Sequence, residues 1–393
     1  MKKGIKVLKF LPYFPPHKGG LEVHVQEWSR WWVRSGYGEV LNITFSVGQS
    51  EGVFEYSENG YRVIILPAFD LVPNFPFPTF WTRDFWRGLN EAKKFGADII
   101  NTHTRFFLSS LIGGIFAKIY RIPWIHIEHG SDYVRLDSSF KTWIAWVFDQ
   151  IIGRWIFWSA DAVIPISEAC KKFVGWFITR EMSVFYRGLD VVETGIDKSL
   201  SDIKDKFPGK IIVGFIGRLY KWKNVESFIR AYYELDTKIR KKIQPVIVGY
   251  GEDLERLKIL DRDNKFYFTG GKNSSIDIAT QSQFDIHIHS SSPGGGLATT
   301  LLQAMYLGCF IVATPYEGAD EVIVNGENGI LLNGDSVDDI REGIIQAITE
   351  LEPKRETFAR LNANIIVERF SWSGNIKKYF HFFNQFLQTG KKL

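Results

Sequence analysis

The sequence predicts an α/β protein built from two doubly wound, parallel-sheet halves. Three observations predict it. Strands and helices alternate through the first half, the alternation restarts after a polar stretch at 194–209, and strands of the second half end in glycine-containing turns. Regular βα alternation builds a parallel sheet covered by helices on both faces. At 393 residues the chain is also too long for one ordinary domain.

In order, Ile5–Leu11 alternates apolar and polar residues and reads as the first strand. A loop from Pro12 to Gly20 leads into a helix over Leu21–Ser35. Leu41–Ser46, Arg62–Leu66 and Asp98–His103 read as strands, with a helix from there to Tyr120. Trp124–Glu128 is a strand ending at His129-Gly130, followed by one long helix over Phe140–Ser159 and a strand at Ala162–Ser167. Thr194–Gly209 is polar, has no apolar periodicity and reads as a linker. Beyond it, Lys210–Ile216 is closed by Gly217-Arg218, and Val225–Leu235 is helical. Pro245–Val248 is closed by Gly249-Tyr250-Gly251, and Phe266–Phe268 by Gly270-Gly271. Gln283–His289 is a strand broken by Gly294-Gly295-Gly296. From Thr299 the spacing of Leu301, Leu302, Met305 and Leu307 is helical until Gly308, and Phe310–Thr314 reads as the next buried strand. Ser373–Gln388 is an aromatic helix. The resulting division is a domain over 1–193, a linker over 194–209, a domain over 210–370 and a C-terminal helix over 371–393, with ligands expected in a cleft between two Rossmann-like halves.

The apolar fraction of 45% supports real cores, and a net charge of +4 suits anionic ligands or a membrane surface while excluding a nucleic-acid-binding signature. Cys170 and Cys309 have no metal-ligand spacing and read as packing thiols in a reducing compartment. The N-terminal residues lack a signal-peptide core, and the most apolar stretch, Trp143–Trp158, is interrupted by Asp149 and Arg154. This predicts a cytoplasmic protein, peripheral at most on the inner face of the membrane. Three Trp-rich clusters stand beside arginines: Trp28/Trp31/Trp32, Phe80/Trp81/Phe85/Trp86 and Trp143/Trp146/Trp155/Trp158. Such groups serve either as core aromatics or at a headgroup interface. Phe75–Arg87 is the best interfacial candidate, because Pro73, Pro76 and Pro78 imply an exposed loop.

Strand-end turns carry the chemistry. A strand, a glycine-rich turn and a helix N-terminus make an anion site, as Gly294–Thr300 would, with Thr299 and Thr300 adding hydroxyls. Arg218 offers a forked donor and Lys223 a point charge, the combination a diphosphate requires. The turns Lys18-Gly19-Gly20, Gly249-Tyr250-Gly251 and Gly270-Gly271-Lys272 would join them. His129 reads either as a reactive strand-end imidazole or as a buried histidine with a backbone partner. His103 and His126 read as structural, and His17 could border an acceptor.

Taken together, these residues resemble a family-4 glycosyltransferase of the GT-B fold over nearly the whole chain. Gly19-Gly20-Leu21-Glu22 is similar to the family's N-terminal glycine loop, Glu128-His129-Gly130 to its central His motif, and Pro165–Glu168 to the strand before the interdomain crossing. Gly188-Leu189-Asp190 or Gly195-Ile196-Asp197 resembles its linker motif, and Gly217-Arg218-Leu219 with Lys223 its phosphate clamp. Gly249-Tyr250-Gly251 and Phe268-Thr269-Gly270 resemble its base-binding turns, and Phe370-Ser371-Trp372 precedes a final helix that in this fold packs on the first domain. The resemblance implies sugar transfer from a nucleoside diphosphate to a glycan or lipid-linked acceptor, with retention, in cell-surface polysaccharide or glycolipid synthesis. It implies no metal and no other cofactor. His129, Arg218 and Lys223 would be catalytic. Gly19, Gly20, Gly249, Gly251, Gly270, Gly295, Gly296, Leu297, Thr299, Thr300, Gln303 and Glu321 would bind the donor.

The match breaks at the family's Glu-x7-Glu motif, whose acids fall on Gly295 and Gln303. Gln303 still donates and accepts hydrogen bonds. Gly295 cannot replace a carboxylate, and Glu317 and Glu321 lie close enough in sequence to supply one. These departures leave two alternatives open: a catalytically impaired binding or partner subunit of the same fold, and a sugar-nucleotide epimerase.

Overall fold

The computed structural model describes residues 4–17, 19–46, 54–72, 75–134, 138–189, 195–293 and 296–390. They form two compact units, one of residues 1–188 with 372–393 and the other of residues 189–371.

The first unit is built on a seven-stranded sheet. Its strands are β1 (Val7–Phe10), β2 (Val40–Phe45), β3 (Phe54–Glu58), β4 (Tyr61–Leu66), β7 (Ile99–His103), β8 (Trp124–Glu128) and β9 (Ala162–Pro165), in the order β3-β4-β2-β1-β7-β8-β9. All pairings are parallel except β3 with β4. Every residue of β1, β2, β7, β8 and β9 is buried, as a sheet covered on both faces demands. The strand order reverses between β1 and β7, so loops leaving their C-terminal ends open a crevice there.

The helix α1 (Gly20–Arg34) packs against the C-terminal helix Trp372–Thr389. Trp28 stacks on Trp32 at 4.7 Å and meets Tyr379 edge-on at 5.7 Å. Trp28, Trp31 and Trp32 are all buried, so the first tryptophan cluster is core. The other two clusters keep exposed members, including Trp81, Trp86, Trp143 and Trp158.

Two expected elements differ. The Phe75–Arg87 segment is not a loop: Phe75–Pro78 is strand β6, paired antiparallel with β5 (Ala68–Val72), and α2 begins at Arg83 and runs to Lys94. Both strands of this ribbon are edges, where Pro76 and Pro78 are tolerated. Thr82 caps α2 by accepting from the Phe85 amide. The predicted long helix is split into Ser139–Phe148 and Arg154–Ser159 by a π-turn at Asp149–Gly153, where the buried Asp149 carboxylate faces inward to Arg105.

The second unit carries β10 (Ile211–Ile216), β11 (Ile243–Val248), β12 (Tyr267–Phe268), β13 (Ile286–His289), β14 (Phe310–Ala313) and β15 (Ile330–Leu331). Their order is β12-β11-β10-β13-β14-β15, parallel throughout. Here the order reverses between β10 and β13. The polar stretch expected as a linker belongs to this unit: residues 195–209 include the short helix Ile203–Lys206, Ile203 is buried, and Lys204 pairs with Asp285. A 34-residue helix, Val337–Phe370, closes the unit, started by a Ser336–Asp339 capping box.

Trp28→Ala should destabilise the first unit by about 3–5 kcal/mol, because the α1–C-terminal helix contact is stacked aromatic core. Urea unfolding followed by tryptophan fluorescence checks this; a loss under 1 kcal/mol would show that the contact is dispensable.

Candidate functional site

In the second unit the loop after β10, at the reversal of strand order, holds the predicted cation pair. Gly217 ends β10, and the Arg218 guanidinium donates to the Tyr220 hydroxyl at 2.8 Å. Lys223 closes a 3-10 turn, Lys221–Lys223, with its ammonium 4.3 Å from the Trp222 ring centre. Its Nζ lies 2.8 and 2.6 Å from the two carboxylate oxygens of Glu317, so the pair is bidentate and mostly buried. Ser291 also donates to that carboxylate. Glu317 therefore lies at the centre of the second-unit site, whereas Glu321, the acid predicted to bind donor, sits half-buried in the turn Ala319–Glu321 with its carbonyl accepting from Arg369.

The turn after β11 is pressed against the turn after β10. A Cβ on Gly249, which sits at φ +148°, would lie 1.9 Å from the Gly217 carbonyl oxygen, and one on Gly251 would lie 2.3 Å from that of Leu219. Only glycine allows this approach. Gly270 follows β12, and its carbonyl accepts from the Gly249 amide at 3.3 Å. The helix Thr299–Tyr306 has no side-chain cap on its N-cap residue, Ala298, leaving its first amides for a ligand. Leu297 is buried beneath it, while Gly296, Thr299, Thr300 and Gln303 remain partly exposed. Gly295 and Lys18 lie outside the described residues, as does Asp190.

In the first unit His129 follows β8. The preceding Glu128 is buried and saturated: it accepts from the amides of Arg105, His129 and Gly130 and from the Arg105 guanidinium. Burial alone would raise its pKa, but Arg105 and His126 outweigh that and hold it at about 2. Arg105 also donates to Asp149 at 2.9 Å, and burial pushes Asp149 up to about 6 in spite of that partner.

Hydrogen bonding fixes the tautomer of His129. Asn101 Nδ2 donates to the Ile125 carbonyl at 2.9 Å, so Asn101 Oδ1 is the acceptor facing His103 Nε2 at 2.9 Å. His103 Nε2 then carries the proton, and His103 Nδ1 accepts from His129 Nε2–H at 3.0 Å. That leaves His129 Nδ1 as a bare acceptor. Burial lowers the His129 pKa to about 3, so the neutral ring offers a hydrogen bond. His103, expected to be structural, holds His129 in place; nothing in the spacing of Asn101, His103 and His129 revealed that. His126 bonds to Thr102 and Glu128. His17 pairs with Glu22 and stacks on Tyr13 at 4.2 Å. Gly19 and Gly20 start α1, with the Gly20 carbonyl accepting from Arg187 at 3.3 Å.

One set of potential metal ligands occurs among the described residues: His24, His103 and His129 place ring nitrogens within 4.8 Å of one another. The His103–His129 hydrogen bond already uses the facing lone pair, and the nearby Arg187 charge disfavours a further positive charge on His24 and His129. The set reads as imidazoles on which burial disfavours charge, with His103 and His129 hydrogen-bonded to each other.

Arg105→Ala should cost about 3–5 kcal/mol in urea unfolding at pH 7, since it strands Glu128 beside Asp149 in the interior. A near-neutral effect would mean that water or another cation satisfies these acids.

Residues 18–193 match the family described as Glycosyltransferase Family 4, and residues 197–364 match Glycosyl transferases group 1. An uncharacterized glycosyltransferase of Methanocaldococcus jannaschii is 42% identical over 385 residues, covering 95% of this chain and 97% of that protein. A Campylobacter jejuni enzyme, N-acetylgalactosamine-N,N'-diacetylbacillosaminyl-diphospho-undecaprenol 4-alpha-N-acetylgalactosaminyltransferase, is 28% identical over 211 residues, 50% of this chain and 54% of that enzyme. The crystal structure of HepE from Anabaena in complex with UDP matches with a TM-score of 0.72 at 17% identity, covering 97% of this chain and 100% of HepE, which shows a common GT-B fold. With a 42%-identical relative spanning almost its whole length, this chain belongs to the group 1, family-4 glycosyltransferases.

Proposed function

We propose that this glycosyltransferase moves a sugar, with retention and without a metal, from a nucleoside diphosphate to a lipid-linked acceptor in cell-surface polysaccharide or glycolipid synthesis. The carrying observation is the pair of cationic side chains, Arg218 and Lys223, on the loop that leaves β10 beside an uncapped helix N-terminus. As the C1–O bond breaks, its electron pair goes to the β-phosphate oxygen, where these cations and amides stabilise the charge. The acceptor oxygen bonds C1 on the same face, and its proton passes to the departing phosphate. His129, neutral and with Nδ1 bare, accepts from a hydroxyl of the sugar or acceptor.

The lipid-linked acceptor is supported by the Campylobacter relative, whose name places its sugar on diphospho-undecaprenol. It is supported also by an apolar groove of about 430 Å3 between α2 and α3 (Leu108–Tyr120), where Trp86 and Ile119 are exposed. Arg83 and Arg87 on α2 and Lys118 on α3 lie on the same two helices, the mixture that suits an anionic headgroup interface. The proposed contact is peripheral, on the inner face of the membrane; no helix among the described residues is long and apolar enough to cross one.

Calorimetric titration with UDP, GDP and ADP tests the donor site: one of them should bind, and none binding would refute it. Arg218→Ala should weaken that nucleotide about tenfold to a hundredfold, the worth of a charge-assisted hydrogen bond. Unchanged affinity would remove Arg218 from the phosphate clamp. His129→Ala should lower turnover more than it lowers donor affinity. Because His129 already sits at about 3, the wild-type turnover profile should show no histidine limb between about pH 5 and pH 8. A limb near pH 6.5 that disappears in the variant would contradict the neutral role.

A further inference from the structure

Glu317 combines four properties that an ordinary turn residue does not. It sits at φ +52°, a left-handed conformation that costs a residue with a Cβ. It is buried, at 6% exposure. Both its carboxylate oxygens are spent on Lys223, with Ser291 donating to one of them. Its carbonyl accepts from the Ala298 amide at 3.2 Å, which ties it to the N-terminus of the helix Thr299–Tyr306. A strained, desolvated acid at the mouth of an anion cradle has a Gly neighbour, Gly318, that would suit the same backbone without strain.

We propose that Glu317 is the acid of the donor site, taking the place of the carboxylate that the chain lacks at position 295. This rests on the glycosyltransferase reading above. In the free protein Glu317 neutralises Lys223 and holds it over the Trp222 ring. An incoming diphosphate replaces it as the counter-anion of Lys223. The released carboxylate then faces the sugar, where it stabilises positive charge at C1 as the C1–O bond breaks, the electron pair leaves with the phosphate and the acceptor oxygen attaches. Glu317 gains and loses no proton in that step.

The two roles separate experimentally because they have opposite signs. Glu317→Gln keeps the shape and one acceptor oxygen but removes the charge that competes with the diphosphate for Lys223. Affinity for whichever of UDP, GDP or ADP binds the wild type should rise at least threefold, measured by calorimetry. Turnover, read as sugar released from the matching nucleotide sugar, should fall at least tenfold. A merely structural prop would instead lose affinity and turnover together, along with melting temperature. Turnover within threefold of wild type, or affinity that stays level or falls, overturns the inference while leaving the donor site standing. Should Glu317→Gln fail to fold, Glu317→Gly, the residue this φ favours, carries the same two measurements. If the wild type shows no turnover, the affinity change alone decides. A wild type that binds none of the three nucleotides overturns the donor-site reading and this inference with it.

Discussion

Charge buried at the C-terminal ends of parallel strands is the constraint on which both units depend. A sheet covered on two faces has no solvent for a polar strand-end group, so each must find a protein partner or change its protonation. In the first unit Glu128 ends β8 and is saturated by Arg105, which reaches on to Asp149 across the π-turn. That network sets the direction in which His129 leaves the strand, because the same carboxylate holds the His129 and Gly130 amides. In the second unit the equivalent problem is Lys223, solved by Glu317.

The units resolve it in opposite ways. Around His129 burial disfavours charge on the bases: Lys9, His24 and His103 are all driven well below their usual values, and Lys9 rests its amine 3.7 Å from the Trp28 ring centre. There the neutral imidazole of His129 offers a directed hydrogen bond, the kind of contact a sugar hydroxyl makes. Around Arg218 and Lys223 cationic side chains stand together, and an uncapped helix end adds its dipole. That suits a phosphate. The division of labour follows from how deeply each set of side chains is buried.

Much of this was legible in sequence. Runs such as Ile99-Ile100 and Ile211-Ile212-Val213 announce buried strands, and glycines at 249 and 251 announce close turns because nothing larger fits. What escaped were features that depend on a distant partner. The π-turn at Asp149 exists because Arg105 is 44 residues away in sequence and needs a second acid. The polar stretch after 194 looks like a linker because its anchors, Gln283 and Asp285, come some 80 residues later. The tryptophans of α1 read ambiguously until the C-terminal helix supplied Tyr379 and Phe383. The long helix Val337–Phe370 passes through Pro353, which local propensity takes as an end.

The missing motif acids bear differently on function once side chains are placed. A glycine at 295 argues against catalysis only if no other carboxylate serves the same cradle. The proposed one, Glu317, reaches Lys223 from the strand-end turn after β14, at a backbone conformation that glycine would occupy without cost. Strain of this kind persists where the surrounding structure supports it, and it is drawn to functional sites. Exchanging it for glycine would relieve the backbone but leave the Lys223 ammonium without its counter-anion, so the lysine fixes where the acid stands. The proposed reading of an enzyme whose acid has moved to another turn rests on that lysine being the one that a diphosphate would claim.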